Sequence, residues 1–288
     1  MRDESLPVSV VIPTLGRPSL RPCLESVAAC HPRAAETLVV DQSGEAGVLR
    51  LVDEFADAGA RLVPCDGSGV ARGRNVGILA ATHRAVLVTD DDCTVPPDWV
   101  GTAWGLHRER PKAIVTGRVL PVGDPRAVPS TREETEPREF TGMRHGGALY
   151  PNNMVLPRTS VLESGGFDER FGPGEAAEDN EFCYRWLRGG GELVFEPALV
   201  VWHHDWRSPE QLEELYVRYA RGQGFLYAKH LRAGDLHMLR WLARDLYWAG
   251  RGALSGLVKR RERWTDPRRG IVRGLPGGLL AGWRTYRR

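Results

Sequence analysis

Short apolar runs separated by helix-length amphipathic stretches set the rhythm of the first hundred residues. Residues 8–12, Val-Ser-Val-Val-Ile, are almost wholly apolar and β-branched, and they stop at Pro13. A run this dense fits a strand buried on both faces, as in a parallel sheet. The pattern then predicts a helix over 19–29, a strand over 36–40 ending at Asp41, a helix over 48–58 and a short strand over 61–64. A helix over 70–81 and a strand over 85–89 follow, and the last strand runs into Asp90, Asp91 and Asp92. Strand and helix alternating at this spacing read as an α/β fold, an open, mostly parallel sheet flanked by helices. Ligands of such sheets bind beyond the carboxyl ends of the strands, where Asp41 and Asp90 fall.

Further along, a strand is expected over 113–120, and the Pro- and Glu-rich stretch 123–138 reads as a surface loop. Phe182, Cys183, Trp186 and Leu187 recur as one apolar face, and three glycines from Gly189 stop the helix they define. Leu212, Leu215, Tyr216 and Tyr219 open a helical region that fills the last part of the chain. Gly222, Gly224, Gly250, Gly252 and Gly256 interrupt any long amphipathic stripe there, which favours helices packed on the body.

Composition changes this picture in one respect. The net charge of +2 hides a split: residues 206–288 carry 18 Lys+Arg against 7 Asp+Glu, so the first 205 residues hold −9. Six of the nine tryptophans also lie after residue 200. A basic, Trp-rich extension of this kind is expected to meet the body, a second copy, or an anionic surface such as a membrane. The five cysteines, Cys23, Cys30, Cys65, Cys93 and Cys183, form no CxxC pair, which argues against structural zinc. No run approaches the roughly 18 apolar residues of a spanning helix, and the opening MRDESLPVSVVIP lacks a signal-peptide pattern. A cytoplasmic protein, at most peripheral at the inner face of the membrane, is the expectation. Nucleic acid is not an expected partner.

The chemistry-bearing residues are weak one at a time. Asp90 to Asp92 fit either a solvated turn or a hard-cation site, since alternate carboxylates on an extended segment point the same way. Glu178 and Asp179 either cap their helix or supply a general base that stays ionised at neutral pH. His203 and His204 end an apolar run and suit a Mn²⁺-like ion equally with a plain surface pair.

Their order along the chain is more specific. Pro13-Thr14, Asp41, the segment Ala71-Arg72-Gly73-Arg74-Asn75, Asp90-Asp91-Asp92, Asn152-Asn153, Gly165-Gly166-Phe167-Asp168-Glu169, Glu178-Asp179 and His203 follow in sequence. Together they resemble the inverting family 2 glycosyltransferases of the GT-A fold over roughly residues 7–206. The resemblance implies a catalytic domain over 1–206, with a nucleotide-binding half to about 98 and an acceptor half over 99–206. A helical extension over 207–288 resembles nothing assignable.

The resemblance also implies roles. Pro13, Thr14, Arg17, Asp41, Arg74, Asn75, Asp90 and Asp91 would line the nucleotide, with Arg72 an alternative. Asp92 and His203 would hold Mn²⁺ or Mg²⁺, with His204 as the fallback. Asp179 would be the catalytic base beside Glu178. Asn153, Gly165, Gly166, Asp168 and the 172–175 glycine-rich segment would wall the donor and acceptor pocket. The donor would be a nucleotide-diphosphate sugar, UDP favoured, and the acceptor a glycan, lipid-linked or small-molecule hydroxyl. No nucleophilic Ser or Cys is expected.

Two other readings stay open from sequence. Asp90-x-Asp92-x-Thr94 also fits the nucleophile motif of haloacid-dehalogenase-type phosphatases, and a non-catalytic nucleotide-sugar-binding protein could keep the same residues. A nicotinamide enzyme is disfavoured, because Thr14-Leu15-Gly16-Arg17 is no GxGxxG.

Overall fold

The structure, a computed structural model, describes residues 5–125, 127–141, 147–172, 176–204, 207–258 and 267–287. The strands are β1 (Ser5–Thr14), β2 (Arg33–Asp41), β3 (Ala60–Pro64), β4 (Ala85–Thr89), β5 (Cys93–Thr94), β6 (Ile114–Val122), β7 (Arg138–Glu139), β8 (Asn153–Pro157) and β9 (Leu193–His204). The helices are α1 (Leu20–Ala28), α2 (Ala46–Asp53), α3 (Val70–Ala80), α4 (Trp99–Glu109), α5 (Arg158–Glu163), α6 (Glu178–Arg188), α7 (Pro209–Arg232), α8 (His237–Val258) and α9 (Pro267–Thr285). The expected helix over 48–58 breaks in two: α2 ends at Asp53, and a single 3₁₀ turn at Ala56–Ala58 follows, closed by Gly59 at φ +83°.

The strands run in the order β3-β2-β1-β4-β8-β6-β9-β5, with β7 on β9. β1 to β4 are mutually parallel, as the apolar runs predict, whereas β8 lies antiparallel between β4 and β6. Both faces of the sheet are covered. Val8, Val10 and Ile12 pack under α1, α2 and α4, while Val11, alternating with them, faces α3, α5 and α6. Gly77 lets α3 press onto β1: a Cβ there would stand 2.2 Å from Val11 Cγ1. The strand order reverses beside β1, so a crevice opens between the ends of β1 and β4.

The 123–138 stretch is not wholly a surface loop. Arg132 is buried, bridges to Val119, donates to the Ala148 carbonyl at 2.8 Å and lays its guanidinium 3.7 Å from the Phe195 ring centroid. The Glu134 carboxylate 3.2 Å from Arg132 Nε, the carbonyl and the cation–π contact together compensate the buried charge.

The extension begins with a capping box, Ser208 and Gln211 exchanging side-chain and backbone bonds, and Pro209 at the first helical position. Gly222 and Gly224 do not interrupt α7. They are points of close approach: Gly222 faces the Ala176 backbone and Gly224 the Leu275 carbonyl. On α9, Gly270, Gly274, Gly278 and Gly282 recur every fourth residue along α7; a Cβ at Gly278 would lie 1.8 Å from the Arg221 carbonyl oxygen. Phe225, Leu226, Tyr227, Met238 and Leu275 close a small core with Phe171 and Tyr184 of the body. No helix among the described residues is long and apolar enough to cross a membrane. Trp206, Trp264 and the basic run 259–266 lie outside the described residues.

Candidate active site

Register brings the first candidates together. Thr14 pairs with Asp41 at the ends of β1 and β2, and β4 delivers Asp90 to Asp92 beside them. Thr14 Oγ1 donates to Asp91 Oδ2 at 2.7 Å and Arg17 Nη1 to Asp91 Oδ1 at 2.8 Å. Burial pushes the Asp91 carboxyl up, and the Arg17 charge and the Thr14 bond oppose this. Asp91 thereby ties the strand ends together from beneath the crevice. Asp41 accepts from Ser43 N and Oγ, at 2.8 and 2.6 Å, and fixes the turn after β2.

Arg74 is the hub. It projects from α3, is buried, and donates to Asp90 Oδ1 at 3.1 Å and to Glu178 Oε1 at 2.8 Å. Arg72, in contrast, is exposed and pairs with Glu169. Asn75 turns away from the aspartates. Its amide donates to the Phe167 carbonyl and accepts from Phe167 N, at 2.8 and 2.9 Å, locking the Gly165-Gly166 turn. Gly166, at φ +60°, admits no Cβ, which would stand 2.7 Å from Asn75 Oδ1.

Glu178 and Asp179 start α6, where the helix dipole favours anions. The entry is strained: Ala177, a non-glycine, adopts φ +74°. Asp179 keeps a solvent-accessible edge, yet it is so closely ringed by protein that burial, and then the Glu178 charge, raise its carboxyl to about 7. The direction of this shift runs against the expectation of a carboxylate in its ordinary range. Arg74 limits the rise, and Asn180 N caps Asp179 Oδ1 at 2.7 Å.

Asp92 and His203 are both buried, with Asp92 Oδ1 3.4 Å from His203 Nε2. Cys93 pairs directly with His203 between β5 and β9, and the three offer ligand atoms within 4.8 Å of one another. Nothing local to Cys93 or His203 announces that the two lie side by side. Burial, and the charges of Asp92 and Asp90, push the Cys93 thiol well above its ordinary range. His203 Nδ1 has no hydrogen-bond partner among the described residues. A carboxylate oxygen and an imidazole nitrogen, buried and converging, fit a divalent cation of the Mn²⁺ type. His204 is turned to Thr94, 2.8 Å away, and is not part of this group.

Four expected pocket residues make contacts within the protein. Asn153 is fully buried; its amide donates to the Arg118 and Leu199 carbonyls and its oxygen accepts from Trp99 Nε1, so each polar atom has a protein partner. Gly165 and Gly166 form the turn that Asn75 locks. Asp168 faces the extension, accepting from Lys229 Nζ and Tyr286 Oη, each at 2.6 Å, and from Arg170. Of the 172–175 segment, residues 173–175 lie outside the described residues.

Sequence reasoning missed the second clamp on α6. Glu181, fully buried, meets Lys229 at 2.7 Å and Arg185 at 3.2 Å. Burial alone would raise its carboxyl, but His230, Lys229 and Arg185 hold it down at about 2. Gln223 Oε1 accepts from Asn180 at 3.3 Å, next to Asp179.

Comparison with known proteins converges on one family. The model for glycosyl transferase family 2 matches residues 9–159. A pre-mycofactocin glycosyltransferase of Mycobacterium tuberculosis is 29% identical over 231 residues, covering 74% of this chain and 45% of that protein. A glucosyl-dolichyl phosphate glucuronosyltransferase of Haloferax volcanii is 29% identical over 209 residues, 65% of each chain. This chain therefore spans less than two thirds of the length of either relative. Among solved structures, the mannosyltransferase PcManGT from Pyrobaculum calidifontis, in complex with GDP-Man and Mn²⁺, superposes with a TM-score of 0.65 at 17% identity, over 99% of this chain and 89% of that one. Its likeness bears on the fold, which is GT-A. The phosphatase reading of Asp90 and Asp92 falls away, because a family model matching more than half of the chain places it among the family 2 glycosyltransferases.

Proposed function

We propose that the chain transfers a sugar from a nucleotide-diphosphate sugar to an acceptor hydroxyl by a single displacement that inverts the anomeric carbon. The observation that carries this reading is the Arg74 bridge between Asp90 and Glu178, which binds the strand-end aspartates and the Asp179 helix into one crevice. Asp179 is the general base. With its carboxyl near 7, it is partly ionised at neutral pH and basic enough to accept a hydroxyl proton. As the acceptor oxygen loses its proton to Asp179, it bonds to the anomeric carbon, and the bond to the diphosphate breaks. Arg17 and Arg74, each paired with crevice carboxylates, would offset part of the negative charge against which that diphosphate departs.

Asp92 and His203 would hold Mn²⁺ or Mg²⁺, which supplies charge to the diphosphate when bound. UDP is the nucleotide favoured by the family resemblance. The GDP-Man of the Pyrobaculum mannosyltransferase keeps GDP as the comparison. A lipid-linked acceptor is supported by the name of the Haloferax relative.

The test is donor turnover. Wild type with Mn²⁺ and a UDP-sugar should release UDP slowly without acceptor and faster with one. Asp179→Asn should bind donor and lose turnover. Wild-type turnover by Asp179→Asn would remove the base assignment, and donor binding without turnover by either protein would leave a nucleotide-sugar-binding protein.

A further inference from the structure

We infer that the extension docks on an anionic bilayer through the outward faces of α8 and α9. Thirteen large hydrophobic residues are exposed among the described residues, and eight of them lie between positions 236 and 283. On α8, Leu239, Leu246 and Tyr247 share one side with the preceding Leu236; on α9, Val272, Leu280 and Trp283 share another. Their exposures run from 49% at Leu239 to 68% at Leu236, so these side chains do not belong to the core between the helices. Single exposed leucines need no explanation, but two helical stripes do.

Charge selects the partner. Arg240, Arg244 and Arg284 are exposed on or beside the same faces, and Arg287 is exposed just beyond the end of α9. Residues 267–287 contain no Asp or Glu. Asp245 on α8 is already engaged by Tyr227 and Arg244. A face of leucine, tyrosine and tryptophan set among arginines matches the boundary between acyl chains and anionic headgroups. The same face on a second copy would bring arginine against arginine, which disfavours self-association through it. Since no helix among the described residues can span a bilayer, the helices lie on it.

The experiment is co-sedimentation of the full chain with vesicles of phosphatidylcholine alone and with equal parts phosphatidylcholine and phosphatidylglycerol. The protein should sediment only with the anionic vesicles and should be released by added salt. Arg240→Gln and Arg284→Gln should each lower partitioning about fivefold. Leu239→Glu with Leu246→Glu should abolish it while circular dichroism stays unchanged, and Leu280→Glu on α9 serves if that pair fails to fold. Equal binding to both vesicles, or binding to neither, would overturn the inference. So would light scattering that shows a wild-type dimer reduced to a monomer by the leucine variants. Nucleotide titration reads the donor site separately, so either result can fail alone.

Discussion

Arg74 and Glu178 meet at 2.8 Å, although they stand 104 residues apart on α3 and α6. The same guanidinium reaches Asp90, so one buried cation ties the end of β4 to the start of the helix that carries Asp179. Lysine, a single point of charge, cannot serve two carboxylates in this fork geometry. Arg74→Lys should therefore cost about 2 kcal/mol of transition-state stabilisation, roughly 30-fold in kcat/KM, while the fold persists. Donor turnover with circular dichroism checks this; wild-type kcat/KM would contradict it.

The raised carboxyl of Asp179 sets the pH dependence. The base must be ionised to accept a proton, so kcat should fall as pH drops through about 7. Glu178 contributes to the rise through its negative charge. Glu178→Gln removes that charge, so the acidic limb should move to lower pH. A limb that stays in place or moves up would show that another group titrates.

Lys229 should matter to stability. It neutralises Asp168 and Glu181, both buried, from the extension. Lys229→Met leaves two buried carboxylates short of a partner and should destabilise the protein by about 3 kcal/mol, with Lys229→Arg recovering part of this. The Glu181 carboxyl is held at about 2, below its ordinary 4.5, so its contribution is full above about 4.5 and is lost as pH falls toward 2. The Lys229→Met deficit measured by denaturant should accordingly shrink in acid.

Gly278 tests the packing of the extension. A methyl at this position meets the Arg221 carbonyl oxygen at 1.8 Å, so α7 and α9 must separate. Gly278→Ala should cost about 2 kcal/mol despite the higher helix propensity of alanine. An unchanged or raised melting temperature would mean that the two helices do not pack this closely.

The parallel half of the sheet was legible because β1, β2 and β4 carry dense β-branched runs, and each stops at a Pro, Asp or Thr-Asp boundary. Asp90 to Asp92, Asp179 and His203 stood out as candidates because their order along the chain resembles the family; their places at strand ends and a helix start were weak signals alone. What was hidden depends on contacts between distant segments. Nothing local announces that Cys93 faces His203, that Arg132 stacks on Phe195, or that Lys229 reaches Asp168 and Glu181. The glycines of α7 misled for a related reason: their low helix propensity argues for interruption, whereas tertiary packing needs their missing side chains. Asn153 resembled a pocket residue by its place in the order, yet β6, β9 and Trp99 of α4 engage every polar atom of its side chain.

The central claim is that Asp92 and its neighbours form a metal-assisted nucleotide site, and calorimetric titration addresses it most directly. UDP, GDP and dTDP would be titrated into wild type and Asp92→Asn, with and without Mn²⁺. One nucleotide should bind wild type in a Mn²⁺-dependent manner, and the variant should lose that dependence. Failure of all three to bind wild type with Mn²⁺, or equal binding by Asp92→Asn, would contradict it.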